Sequence, residues 1–327
     1  FVLTLALALA LMALAQSGAC AGVNARWMWV VLGVFMAVDL GRGNAPYVIH
    51  YDWKHKYASN PIFDQHLRRD PHKQRVTMLP YQSRGLTLGQ INRLRQAFGL
   101  NEQKWQEQVM GMRQTFPMVY GYEWMQHLFQ FYRVQSLDII QEPRAKLRKQ
   151  VYQQAFGVGP GQYAGGLPLT RRYWELTNTR YFIGARGKFS GELKDANGTD
   201  IFVPVASFVL APKGDQKPKT QADYTAQLDP LGLFSLYEFK RALPRARLYS
   251  RWRSGENPTN ALEILKSTNW SPQTEVLLAE NVPAPTAIAE VGTVEFTSYD
   301  PKRIELRTEA KALSVLLLND LHHPDWK

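Results

Sequence analysis

Two apolar runs near the start of the chain decide how its fold is interpreted: Phe1–Ala15 (FVLTLALALALMALA) and Trp27–Leu40 (WMWVVLGVFMAVDL). A helix needs roughly 20 apolar residues to cross the hydrocarbon core of a bilayer, and each run alone is shorter. With the polar stretch Gln16–Asn24 as a turn, the two runs predict a transmembrane helical hairpin over residues 1–45. We expect it to be the last hairpin of a multi-spanning membrane protein whose earlier part precedes Phe1.

Two other interpretations of these runs stay open. Residues 1–19 end in small residues before Cys20, as expected before a secretory cleavage site, but a basic amino-terminal segment is missing and the second run is left unexplained. Alternatively, both runs are helices of a protein core, because their lengths fall in the range that buried and membrane helices share.

Charge is unevenly distributed along the chain. Residues 41–190 carry 22 basic and 9 acidic residues, a net charge of +13, whereas residues 191–327 carry 16 and 18, a net charge of −2. This change predicts a basic domain over residues 46–190 and a second domain over residues 191–327. Several basic side chains should be exposed on a common face: Arg68, Arg69, Lys73, Arg75, Arg144, Lys146, Arg148 and Lys149.

Such a positive field has more than one explanation. It attracts the anionic headgroups of a lipid bilayer, and it equally suits a lipid-linked phosphate or an acidic polymer. An ordinary solvated basic surface explains the same excess. We expect no nucleic-acid partner, because no recognition motif or zinc spacing is present and the basic residues are scattered.

The basic region is predicted to be a mixed α/β domain. Arg75–Leu79 (RVTML) has the composition of a short buried strand. Apolar residues at helical spacing indicate helices over Thr87–Phe98 and Glu123–Arg133, and Pro143 suits the first turn of a helix over Arg144–Phe156. The glycine-rich stretch Val158–Gly166 lacks the Gly-Lys-Ser/Thr of a phosphate-binding loop, so we interpret it as a connector.

Short β-rich runs separated by turn residues predict a β-sandwich-like domain in the last third of the chain. Its strands are expected at Phe202–Leu210, Phe234–Phe239, Arg247–Trp252, Glu275–Ala279, Thr293–Tyr299, Arg303–Thr308 and Ala312–Leu318, with one helix at Asn260–Lys266. The last three strands should pair consecutively and antiparallel. Val315–Leu318 is apolar at every position, which is typical of a strand covered on both faces.

Few side chains suggest metal or acid–base chemistry. His322-His323 with Asp320 and Asp325 is the densest group of metal-capable residues, but adjacent strand residues point to opposite faces, so we predict no metal site. Asp138 and Glu142 lie one helical turn apart and suit acid–base work, although helix surfaces commonly carry such pairs.

One basic and aromatic run suggests binding. Arg171-Arg172 followed by Tyr173-Trp174 has the chemistry to hold a phosphate and stack on a sugar, and it equally suits an interdomain surface. No nucleophilic triad or dinucleotide-binding loop has usable spacing. The residues by themselves therefore assign no catalytic residue and no cofactor, and they leave the binding residues unknown.

Two stretches resemble the C-terminal part of the YfhO-type bacterial membrane proteins: Phe234–Leu248 (FSLYEFKRALPRARL) and Tyr299–Lys327 (YDPKRIELRTEAKALSVLLLNDLHHPDWK). In that family an LYE…ALPRA strand precedes a helix, and a Y-x-P-N-R-I element and a Y-Y-P-G-W turn follow later. Here Lys302 stands for the usual Asn, and the final turn reads HHPDW. Leu176–Ile183 (LTNTRYFI) resembles the family's L-x-N-x-(K/R)-Y strand. In outline, the likeness covers residues 38–80, 124–190 and 234–327.

The resemblance implies a function as well as a fold. The YfhO-type proteins are similar to GT-C glycosyltransferases, multi-spanning enzymes that use a polyprenyl-phosphate sugar on the outer side of the bacterial inner membrane. Their catalytic carboxylate lies in a first external loop, which would precede Phe1, and their sandwich would continue beyond Lys327. The first hypothesis is therefore the C-terminal, extracytoplasmic part of such an enzyme, acting in cell-envelope glycan modification. The second is a non-enzymatic envelope module that binds glycan or lipid headgroups.

Overall fold

The structure, a computed structural model, describes residues 2–18, 25–48, 50, 52–58, 60–69, 72–79, 96, 101, 103, 111, 114–137, 147–159, 162–163, 166–187, 193–215, 217–283, 290–300 and 302–320. The chain divides into two compact units, Phe1–Lys56 and Tyr57–Lys327.

The described helices and strands alternate along most of the chain. The helices are α1 (Val2–Gln16), α2 (Ala25–Asn44), α3 (Trp53–Lys56), α4 (Phe129–Phe131), α5 (Leu147–Ala155), α6 (Gly166–Leu176) and α7 (Pro258–Lys266), with 3-10 turns at Ala45–Tyr47 and Gln221–Asp223 and π-helices at Phe63–Leu67 and Val119–Leu128. The strands are β1 (Arg75–Met78), β2 (Gln135–Ser136), β3 (Val158–Gly159), β4 (Gln162–Tyr163), β5 (Thr179–Ala185), β6 (Phe202–Pro212), β7 (Tyr224–Leu228), β8 (Phe234–Phe239), β9 (Ala246–Tyr249), β10 (Trp252–Arg253), β11 (Val276–Leu277), β12 (Gly292–Asp300), β13 (Arg303–Ala310) and β14 (Val315–Leu318).

The first unit contains the two apolar runs, and both are helical. Helices α1 and α2 lie close to the predicted bounds and contact each other. Leu32 is buried, but many large apolar side chains of both helices are exposed: Leu5, Leu7, Leu9, Met12, Leu14, Trp27, Trp29, Val30, Val31, Val34, Met36, Val38 and Leu40.

The prediction that these helices form a transmembrane hairpin is wrong. At a rise of about 1.5 Å per residue, the 15 residues of α1 extend for about 22 Å, which is less than the roughly 30 Å of a hydrocarbon core. The longer α2 includes Arg26, Asp39 and Arg42, which lower its mean hydropathy. Among the described residues, no helix is long and apolar enough to cross a bilayer.

A six-stranded sheet with the strand order β2-β1-β5-β8-β6-β7 forms the centre of the second unit. Strand β1 runs parallel to β2 and β5, and the other neighbours are antiparallel. Strands β1, β2 and β5 precede residue 190, whereas β6, β7 and β8 follow it. The change in charge near residue 190 therefore falls within one sheet.

The predicted β-sandwich over residues 191–327 is replaced by this mixed sheet and by smaller two-stranded sheets. Strand β8, for example, lies between β5 and β6, so its partner on one side comes from the basic half of the chain. Alternating apolar residues mark β8 as a strand but leave its partner undetermined. This is the reason that the predicted fold class fails while several of its strands are correct.

Both faces of the central sheet are covered. All six residues of β8 are buried. Ile183 and Leu236 pack into one apolar cluster with the π-helix Val119–Leu128, whereas Phe182 and Tyr237 pack into a second cluster with residues of α5 and α6. Neighbouring residues of a strand point to opposite faces, so the two clusters lie on opposite sides of the sheet.

The predicted helix over Glu123–Arg133 is present but wound differently. Its first part belongs to the π-helix Val119–Leu128, where the N–H of Phe129 donates to the carbonyl oxygen of Trp124, five residues earlier. Trp124 and Leu128 are buried as predicted, while Phe131 is exposed. Phe129 is also buried, and Tyr132 packs against the same apolar cluster as Trp124, so the exposure is specific to Phe131.

Other predicted elements have mixed outcomes. The structure confirms the strands at Arg75–Leu79 and Phe234–Phe239 and the helix at Asn260–Lys266, which begins at Pro258 after an Asn257 cap. Val158–Gly166 contains the short hairpin β3–β4. The predicted helix over Thr87–Phe98 lies outside the described residues, apart from Gln96.

The tail was predicted correctly only in part. Strands β12 and β13 form the expected antiparallel hairpin. Strand β14 pairs with β9, from Val315 opposite Tyr249 to Leu318 opposite Ala246, and not with β13. Leu316 is exposed, so this strand is not covered on both faces, although it is apolar at every position.

The predicted basic face is also only partly present. Arg68, Arg69 and Lys73 are exposed, and Lys149 is half-buried. Arg75 is different, because its side chain is only 15% exposed. Arg144 and Lys146 lie outside the described residues, as does the side chain of Arg148.

Candidate anion-binding site

Four distant segments of the second unit meet around two arginines. Arg75 begins β1, Arg245 directly precedes β9, Tyr299 lies near the end of β12, and Asp320 follows β14. The pairing of β14 with β9 places the residues that flank these two strands side by side, and the N–H of Asn319 donates to the carbonyl oxygen of Arg245 over 2.7 Å. Strand pairing therefore brings Asp320 to Arg245.

Arg245 is the most deeply buried member of this cluster, with only 3% of its side chain exposed. Its Nη2 donates to the Tyr299 hydroxyl and to Oδ2 of Asp320, both at 2.7 Å. Its Nε and Nη1 atoms are buried and have no hydrogen-bond partner in the described structure. Three N–H groups of a charged guanidinium are thus left without an acceptor.

Arg75 approaches the same carboxylate from the other side. Its Nη2 lies 3.3 Å from Oδ1 of Asp320, and its Nη1 donates to the carbonyl oxygen of Thr177 over 2.7 Å. Burial and, second to it, the positive charge of Arg245 together lower the pKa of Arg75 to about 10, although the negative charge of Asp320 opposes them. Arg75 therefore remains charged at neutral pH. Its burial beside a second positive charge has a free-energy cost that the single carboxylate does not remove.

Aromatic groups form one side of the cluster. His72 stacks on Tyr299 with 5.3 Å between the ring centroids and 10° between the planes, and Phe296 meets His72 edge to face at 5.3 Å. Gln135 donates from Nε2 to the Tyr299 hydroxyl over 2.9 Å. Because that hydroxyl accepts from both Gln135 and Arg245, its own proton points toward Asp320, 3.5 Å away.

Two asparagines hold the segments around the site. Asn178 has a φ of 55°, and its buried Nδ2 donates to the carbonyl oxygen of Leu243 over 2.6 Å. Asn319 donates from Nδ2 to the carbonyl oxygen of Leu176 over 2.9 Å. These contacts join the end of α6 to residues that lie shortly before Arg245 and Asp320 in the sequence.

Charge decides what this arrangement can bind. Two guanidiniums face one carboxylate, so the described cluster carries a net charge of +1, with unused donors on Arg245. A buried charge that is neither paired nor fully hydrogen-bonded is costly, and an anionic oxygen that accepts from a guanidinium makes one of the stronger protein hydrogen bonds. The chemistry therefore suits a carboxylate or phosphate group.

The residues singled out from the sequence have different positions. Asp320 belongs to this site, but His322, His323 and Asp325 lie outside the described residues, as do Asp138 and Glu142. No group of metal-ligating side chains occurs within the described part of the chain.

The Arg171–Trp174 run lies on α6 and does not form an open sugar-binding surface. Arg172 forms an ion pair with Glu175 at 2.8 Å and donates from Nη2 to the carbonyl oxygens of Ser267 and Trp270. Tyr173 and Trp174 are buried in the core. Its interpretation as an internal contact surface, the alternative to binding, therefore agrees with the described contacts.

Sequence reasoning missed Arg245 and misjudged Arg75. One signal was available for Arg75, because it begins a strand that was itself predicted to be buried. The sequence around Arg245 did not indicate that its side chain is buried, because an arginine in a Pro-Arg-Ala loop sequence is ordinarily expected to be exposed to solvent.

No protein-family model, curated protein or solved structure matches this chain. Arg245 belongs to the Phe234–Leu248 stretch, Tyr299 and Asp320 to the Tyr299–Lys327 stretch, and Thr177 and Asn178 to the Leu176–Ile183 stretch. Each of the three stretches on which the expected resemblance was based thus contributes residues to this site.

Proposed function

We propose that residues 57–327 are a non-enzymatic binding module for a ligand that carries a carboxylate or phosphate group, such as an acidic glycan or an anionic headgroup of the bacterial envelope. The observation that carries the proposal is Arg245, which is almost wholly buried and keeps unused donors beside a second arginine.

A purely structural role explains less of this geometry. A purely structural ion pair to Asp320 needs one arginine for one carboxylate, and Arg245, which directly precedes β9, already provides it. Adding Arg75 to the same carboxylate raises the electrostatic cost of the folded state, since like charges repel more strongly in a low-dielectric environment. A ligand anion would offset that cost.

The test is a binding measurement on the whole chain. Calorimetric titration with dimethyl phosphate and with glucuronate should give saturable binding that weakens as salt is added, and titration with glucose, which is uncharged, should not. Arg245→Met should abolish the signal, whereas the matched control Arg251→Met, at an exposed position next to β10, should leave it unchanged. Equal binding by the Arg245→Met variant, or no binding by the unaltered chain, would refute the proposal.

A second candidate is favoured by the meeting of the three YfhO-like stretches at the cluster. In this alternative, the chain is the C-terminal part of an envelope enzyme that uses a polyprenyl-phosphate sugar, and the arginines hold the donor's phosphate. The longer gene product should then transfer a labelled sugar from such a carrier, and Arg245→Met should raise the KM for the donor more than it lowers kcat. A gene that starts directly before Phe1 would argue against this candidate.

A further inference from the structure

We infer that the arginine cluster selects ligands whose recognised group carries a single negative charge, a carboxylate or a phosphodiester, over groups that carry two. This inference rests on the proposed function and specifies its ligand. It follows from the number and burial of the charges that surround the unused donors of Arg245.

The count of charges is simple within the described residues. Arg75 and Arg245 contribute two positive charges, and Asp320, which forms an ion pair with each of them, contributes one negative charge. One added negative charge makes the cluster neutral. A second would leave a net charge of −1 among partly buried groups, where an uncompensated charge is costly.

The donors that remain point to the same conclusion. The Tyr299 hydroxyl is already engaged by Arg245 and Gln135, and Arg75 is engaged by Thr177 and Asp320. The N–H groups on Nε and Nη1 of Arg245 are left for the ligand. They can satisfy the one or two oxygens that share a single charge, but they offer little to a third charged oxygen.

The three charged side chains differ in exposure. Arg75 and Asp320 keep 15% and 23% of their side-chain surface exposed, whereas Arg245 keeps 3%. An anion that reaches Arg245 therefore leaves most of its hydration behind. Dehydration is more costly for a divalent anion than for a monovalent one of the same size, which strengthens the selection.

A matched pair of probes tests the inference at constant pH. Methyl sulfate carries one negative charge and sulfate two, and neither titrates near neutrality. Methyl sulfate should bind the whole chain about tenfold more tightly than sulfate or better, a difference of about 1.4 kcal/mol. Acetate and dimethyl phosphate should bind like methyl sulfate, and the ratio of their affinities tells a carboxylate ligand from a phosphodiester.

Asp320→Asn provides the decisive variant, because it raises the charge of the cluster to +2 without a large change in shape. The preference should then invert, with sulfate binding more tightly than methyl sulfate. A latch that only holds the fold together would show no inversion. Circular dichroism and the thermal midpoint establish that the variant is folded.

A second series does not depend on any variant. Methyl phosphate passes from one charge to two above its second pKa of about 6, so its affinity should fall between pH 5 and pH 8 more steeply than that of methyl sulfate. Methyl sulfate corrects for the titration of groups on the protein. Sulfate that binds as tightly as methyl sulfate, in an Arg245-dependent manner, would overturn the inference and leave the proposed function standing; no binding of any anion would overturn both.

Discussion

Arg245 and Asp320 form an ion pair of 2.7 Å between Nη2 and Oδ2, although 75 positions separate them in the sequence. The pair lies next to the paired strands β14 and β9, and the Arg245 side chain is only 3% exposed. Its removal should therefore affect both the stability of the second unit and its chemistry.

Asp320→Asn should lower the free energy of unfolding by about 1–3 kcal/mol, because it leaves Arg75 and Arg245 without a counter-charge. The loss should be smaller than for a fully buried pair, since 23% of the Asp320 side chain is exposed. Urea denaturation at pH 7 measures it. Asp215→Asn, at an exposed position, is the matched control and should change the value by less than about 0.5 kcal/mol.

Combining Arg245→Met with Asp320→Asn should cost less than the sum of the two single substitutions, because each single substitution already removes the ion pair between Arg245 and Asp320. A double-mutant cycle from urea midpoints measures the coupling. Strict additivity would mean that the two side chains do not interact in solution.

Asn178→Ala should be more destabilising than Asn178→Gly. Both remove the hydrogen bonds that Nδ2 donates to the carbonyl oxygens of Leu243 and Lys73, but alanine adds a strain of about 1 kcal/mol at the φ of 55°. The exposed Arg133 has a φ of 56°, so Arg133→Gly is a control that should be neutral or slightly stabilising. Thermal midpoints would compare the three variants, and equal values for Asn178→Ala and Asn178→Gly would contradict the role of backbone strain.

Acid should destabilise the protein partly through Glu238. Burial raises the pKa of Glu238, but hydrogen bonds from Lys240 and Arg180 outweigh this and hold the pKa below its ordinary value of 4.5. A carboxylate with a lowered folded-state pKa contributes stability that is present above pH 4.5 and is lost as the pH falls through the folded-state pKa. In urea titrations between pH 6 and pH 3, Glu238→Gln should therefore lose stability less steeply than the unaltered chain. Parallel curves would show that Glu238 does not contribute.

Gly292→Ala should disturb the β12–β13 hairpin, since a Cβ atom at this position would collide with the carbonyl oxygen of Glu309 and the φ is +97°. We expect a loss of about 1–3 kcal/mol from the steric clash and the strain. Gly214 has a φ of +110° with open space around it, so Gly214→Ala isolates the strain alone and should cost about 1 kcal/mol. Hydrogen exchange at residues 292–310 should increase only in the Gly292→Ala variant.

Much of the local structure follows from the sequence. Alternating apolar residues identify β8 and the β12–β13 hairpin, and helical spacing with an asparagine cap identifies α7. The two apolar amino-terminal runs are helical as expected. These features depend on neighbours within a few positions, where side-chain periodicity and capping residues are decisive.

Only the tertiary structure decided the partners of the strands and the burial of the arginines. A period of two assigns each residue of β8 or β14 to a face, but it does not name the strand that lies alongside, so the sandwich was predicted where a mixed sheet exists. Arg75 and Asp320 are 245 positions apart in the sequence, and nothing near either residue indicates that they share a site. The sequence determined which segments are helices and strands, because that depends on local interactions. The arrangement of those segments depends on long-range packing, and this alone placed two arginines around one carboxylate.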